Sequence, residues 1–198
     1  MRLGNLVDNY LGHELDLDAH IRSPFEILRT GEYYSGFLTG AHFDFNPGAN
    51  LLVVTPLIVP RNMTIDRIAI DVEVAAAATK EARLGIYENG TNLYPGALKL
   101  DAGVVTVDST GVKAITISQA LTKGLYWTGY VVEAEISVSG VRQLPMVAPL
   151  GPNSSGFNTG NGYWTVAHTF GALPDPYTAG GSLATGAPVV PVRILSLD

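Results

Sequence analysis

The chain has 198 residues, of which 46% are hydrophobic and only 15% charged, enough apolar material for one sizeable core. Its 12 basic and 18 acidic side chains leave a formal charge of −6 with no run of five Lys/Arg, so a nucleic-acid backbone is not an expected partner. There is no cysteine, which excludes disulfide frameworks, thiolate zinc sites and cysteine nucleophiles.

Residues 1–45 form the first segment. It carries Asp8, Glu14, Asp16, Asp18 and Glu26, with Leu6, Tyr10, Leu11 and Leu15 at a loose helical spacing. Acids stand where a signal peptide keeps its apolar core, so the expectation is a soluble protein without a secretion address. Ser23 and Pro24 fit an N-cap followed by proline at the first helical position, which predicts a short helix over 24–30 stopped by Gly31. The segment reads as a short, partly helical N-terminal arm for docking or oligomer contacts.

From about residue 50 the hydrophobic period becomes two, the spacing of strands. The run 51–60 is the most apolar, but it contains Thr55 and Pro56 and is shorter than the roughly 18 residues a membrane span needs. In the next run Ile68, Ile70, Val72 and Val74 alternate with Ala69, Asp71 and Glu73, one face core and one face wet. Further strands are predicted over 83–88, 103–107, 112–118, 125–138, 141–147, 163–170 and 189–197. Asn89-Gly90, Pro95-Gly96, Thr110-Gly111, Lys123-Gly124 and Ser139-Gly140 fall between them as turn signals. Residues 75–78, four alanines, fit a helical turn or a connecting loop. The glycine-rich stretch 151–162 and the stretch 175–186 read as long loops. The expected fold is all-β, an antiparallel β-sandwich over 46–198.

Over 125–138, alternation places Tyr126, Thr128, Tyr130, Val132, Ala134, Ile136 and Val138 on one face. Trp127, Gly129, Val131, Glu133 and Glu135 take the other, expected to be solvated or to meet another subunit.

Residues 82–127 carry the most specific pattern. A strand ends in Tyr87, a polar turn leads to Tyr94-Pro95-Gly96, a short apolar stretch closes on Asp101-Ala102-Gly103, and Thr110-Gly111-Val112-Lys113 opens the next strand. Together with residues 58–72 this resembles a jelly-roll β-sandwich module of tailed-bacteriophage virion proteins, particularly tail fibres and baseplate-attached proteins. The resemblance covers residues 50–138. It implies a jelly-roll type of sandwich, a non-enzymatic virion protein at the tail or baseplate, a homotrimer, and contacts with other virion proteins. On that reading Leu6, Tyr10, Leu11 and Leu15 are the candidate docking residues of the arm. A capsid decoration or head-fibre protein is the alternative.

Chemistry-bearing motifs are few. His13, His20, His42 and His168 lack H-x-H or H-E-x-x-H spacing, so a zinc site would need distant segments, and they read as polar surface residues. No nucleophile elbow or phosphate-cradling glycine loop occurs, and no cofactor is expected. Glu14, Asp16 and Asp18 lack the glycine and the final glutamate of a calcium loop. Glu133 and Glu135, two apart on a strand, are the carboxylate pair that a glycan-cleaving enzyme would use, but a solvated strand face explains them too. Tyr163 and Trp164, with Asn158, Asn161 and His168 nearby, are the candidate ligand residues. Aromatic faces beside amides suit stacking on a host-surface carbohydrate, with alternation sending Tyr163 and Trp164 to opposite faces.

Overall fold

The computed structural model describes residues 28–36, 41–142, 150–152, 154, 156–157 and 159–198. Leu6, Tyr10, Leu11, Leu15 and Asn158 lie outside the described residues. Residues 28–30 are not helical, so the helix expected over 24–30 does not reach its predicted end. Gly31 instead occupies a turn at φ +84°. Among the described residues all regular structure is strand.

The strands are β1 (Tyr33–Tyr34), β2 (His42–Phe45), β3 (Leu51–Val59), β4 (Met63–Val74), β5 (Glu81–Asn89), β6 (Pro95–Thr106) and β7 (Gly111–Leu121). They continue with β8 (Gly124–Val132), β9 (Ser137–Val141), β10 (Asn161–Ala167), β11 (Ser182–Thr185), β12 (Ala187–Pro188) and β13 (Val192–Leu197). Two antiparallel sheets result. The first contains β1, β13, β4, β9 and β12, with β2 on β9 and β7 on β4; the second runs β11-β10-β3-β8-β5-β6. β1 and β2 belong to the first sheet although they fall within the segment read as an arm.

Six consecutive strands pair in nested fashion: β3 with β8, β4 with β7, β5 with β6. In the second sheet β8 also pairs with β5, giving the run β3-β8-β5-β6. This is the winding of a jelly roll shortened by its innermost pair.

Between the sheets lies the main core, with Leu57, Ile65, Ile68, Ile70, Leu84, Ile86, Tyr130 and Ile136 fully buried. The second core lies on the outer side of the second sheet, where Leu52, Val54, Tyr87, Trp127 and Val131 are covered by Leu173 and Tyr177. β3 therefore has both faces buried, which is why its sequence is a continuous apolar run and not an alternation. Pro56 is accommodated beyond the last pair with β10, where β3 is hydrogen-bonded to β8 alone.

Four sequence expectations change here. The run 125–138 is not one strand: β8 ends at Val132, residues 133–136 leave the sheet, and β9 starts in the other sheet. Its second face is not solvated either, because Trp127 and Val131 are fully buried beneath residues 170–181. The hairpin between β5 and β6 turns at Asn92 and Leu93, both at positive φ, while Pro95 and Gly96 already begin β6. β6 then runs through Asp101 and Gly103, where φ +91° takes up a register shift, so the predicted closure is a bulge. The alanines at 75–78 form a loop.

Candidate functional site

β10 carries most of the predicted ligand residues, and its alternation separates them. Tyr163 points between the sheets and packs edge-on against Phe45, with ring centroids 5.0 Å apart. Burial raises its phenol pKa. Trp164 points to the outer side of the second sheet, where its indole N–H donates to the Leu93 carbonyl at 2.8 Å. Asn161, at the start of β10, donates from Nδ2 to the Pro152 carbonyl at 3.3 Å. His168 follows the other end of the strand, its Nε2 3.1 Å from the Ala172 carbonyl oxygen. Seven residues of extended chain put Asn161 and His168 roughly 23 Å apart. These four side chains do not converge on one site.

Trp164 belongs instead to an aromatic layer that the sequence pattern did not reveal. Tyr94 stacks edge-on against Trp164 (4.8 Å) and Tyr177 (5.5 Å), and Tyr177 against Tyr87 (5.4 Å). Residues 170–181, without regular structure, form a strap over this layer. It is tied down by polar groups: Leu98 N–H donates to Asp175 Oδ1, Tyr177 N–H to the Gly96 carbonyl, and the Tyr177 hydroxyl to the Leu52 carbonyl. The Tyr94 hydroxyl donates to Thr178 O at 2.6 Å and accepts from Gly181 N–H at 2.8 Å. Two of these bonds use β6, an edge strand whose backbone is thereby partly covered. Burial pushes the Tyr87 and Tyr177 phenols well above their ordinary range.

Beside this layer two apolar side chains reach solvent. Leu93 and Leu183 are exposed beside Trp164, Leu183 being its cross-strand neighbour. The loop before β10 is pinned by the pairing of Pro152 with Gly160 and exposes Phe157 to 75%. Such apolar surface on a rigid scaffold can take a partner by stacking and contact.

The outer side of the first sheet has a different character. His42 and Asp44 of β2 flank Ser139 of β9, with Glu73 and Asp71 of β4 beyond it. His42 Nε2 lies 3.1 Å from Glu73 Oε1, and Ser139 Oγ donates to the same oxygen at 2.6 Å. The Ser139 hydroxyl and His42 hold the Glu73 carboxyl below its ordinary pKa. His42, Asp44 and Glu73 are the residues that could hold a metal ion among those described. The sequence signal was the two-residue spacing of His42 with Asp44 and of Asp71 with Glu73, but the strands that carry them are separated by β9.

Glu133 and Glu135 do not share a strand face. Glu133 is paired with Lys80 at 2.9 Å just past the end of β8, and Glu135 is exposed in the connection to β9. No family model, curated protein or solved structure matches the chain.

Proposed function

We propose that the chain is a non-enzymatic structural protein of a tailed-phage virion, a short tail fibre or baseplate-attached protein that assembles as a homotrimer and contacts the host surface. The observation that carries this reading is the turn and strand pattern of residues 50–138, which resembles a virion jelly-roll module. The nested strands β3 to β8 span residues 51–132, nearly the stretch that carries the resemblance, and β9, β10 and β13 complete their sheets. Host contact falls to Phe157, Leu93, Leu183 and the half-buried Trp164, apolar groups carried on a loop, a turn, the edge strand β11 and its neighbour β10. A weak carbohydrate contact repeated on each copy would gain avidity.

The spread of Asn161, Tyr163, Trp164 and His168 along β10 favours a second reading, capsid decoration without a host ligand. Electron cryomicroscopy of phage particles purified from the source culture, combined with adsorption of the isolated protein to host cells, tests both. Density at the tail or baseplate with adsorption is the expected result. Density on the capsid lattice transfers the reading to decoration, and absence of the chain from purified particles overturns both.

A further inference from the structure

His42, Asp44 and Glu73 bring one imidazole nitrogen and two carboxylate oxygens within 4.8 Å of one another on the exposed side of the first sheet. We propose that these three side chains bind a divalent first-row transition cation, zinc foremost, bridging β2 and β4 across β9.

The first argument is charge. Glu73, Asp71 and Asp44 gather three carboxylates around Ser139, and among the described residues none of them pairs with a lysine or arginine. A protonated imidazole offsets at most one of the three charges. A divalent cation offsets two and leaves the imidazole neutral, the form that ligates.

The second is geometry. Ligand atoms held about 2.0–2.2 Å from a tetrahedral ion are roughly 3.4 Å apart, close to the 3.1 Å between His42 Nε2 and Glu73 Oε1. Asp44 has only to swing inward, which an exposed side chain does by rotamer change. The backbone beneath is a regular ladder with His42 opposite Val141 and Asp44 opposite Ser139, so the ligands stand on a rigid sheet. Ser139 Oγ, bonded to Glu73, orients that carboxylate as outer hydrogen-bond partners of metal ligands do.

The third is ligand type. An imidazole with two carboxylates favours zinc over magnesium or calcium, which prefer oxygen alone, and three protein ligands leave a position toward solvent.

The test uses the full chain, stripped with chelator and titrated with Zn²⁺ by calorimetry and with Co²⁺ by visible absorption. We expect one saturable equivalent and a four-coordinate Co²⁺ spectrum. His42→Gln, Asp44→Asn and Glu73→Gln should each weaken binding at least about 10-fold. Glu88→Gln, on the other sheet, should not. Free Zn²⁺ at ~100 times Kd should raise Tm by roughly 5–10 °C in the native chain and much less in the triple variant. Absence of a saturable site in the native chain overturns the proposal whatever the variants do. So does binding of unchanged affinity in the triple variant, which would place the metal on other residues such as His13 and His20.

Discussion

The strap over the second sheet packs into the space a glycine leaves, and a double-mutant cycle can show it. Gly85 of β5 and Gly129 of β8 are cross-strand partners on the outer face, where a missing side chain leaves a notch. Leu173, only 6% exposed, fills it. A β-carbon at Gly85 would overlap Leu173 Cδ1 and would stand 2.7 Å from the Leu100 carbonyl oxygen. To regain ordinary contact at 3.5–4.0 Å the leucine methyl must retreat by roughly 1.5 Å, which lifts the strap. Overpacking of this kind costs about 1–3 kcal/mol, so Gly85→Ala should destabilise by about 2 kcal/mol, or roughly 4–8 °C in Tm. Leu173→Ala should cost about 2–4 kcal/mol through the emptied notch. In the double variant the added methyl enters space that the leucine has vacated. The combined loss should therefore fall short of the sum by about 1–2 kcal/mol, measured from urea unfolding with unchanged m. Additivity within ~0.5 kcal/mol, or a Gly85→Ala chain as stable as the parent, would show that Leu173 does not pack over Gly85.

Further outcomes follow from the same geometry. Gly129→Ala places a β-carbon over the Val53 carbonyl oxygen and 3.0 Å from Val54 Cα, backbone that cannot rotate away; it should cost more in thermal unfolding than Gly103→Ala, where only φ +91° is penalised and nothing lies within 4 Å. The Arg193 guanidinium, hydrogen-bonded to Asp66 through Nε and Nη2, holds that carboxyl below its ordinary pKa, so the folded chain gives up this proton more readily than the unfolded one. Its contribution is complete above the unfolded carboxyl pKa near ~4 and is lost as pH falls through the lower folded value, so Asp66→Asn should flatten the acid limb of stability against pH below about 4. A Glu133→Gln, Glu135→Gln double variant should change stability by less than about 1 kcal/mol, since it removes one half-exposed ion pair; a larger loss in urea unfolding would mean that these residues do more than face solvent. With Trp164 replaced by Phe, the remaining emission should come from the fully buried Trp127, blue-shifted and poorly quenched by acrylamide, and ready quenching would contradict the strap.

The polypeptide's own pattern determined the strands, because alternation and turn residues act over a few positions: β3, β4, β5, β7, β10 and β13 were all legible, as was the division of Tyr163 and Trp164 between two faces. Tertiary structure decided what covers each face. Trp127 and Val131 stand on a face expected to be solvated or to meet another subunit, yet residues 170–181 bury them, and no local period records a strap that arrives about forty residues later. The break after Val132 belongs to the same class, since β8 and β9 pair with different sheets and only strand partners can distinguish one long strand from two. Short β1, β2, β11 and β12 are too brief to show a period and exist because neighbours complete their hydrogen bonds. The His42, Asp44 and Glu73 cluster is the furthest from legibility: its ligands span residues 42–73, and Ser139 of the strand between them comes 97 residues after His42. Pairing between such distant segments is set by how the two faces of each sheet are buried, a property of the whole chain that no window of sequence contains.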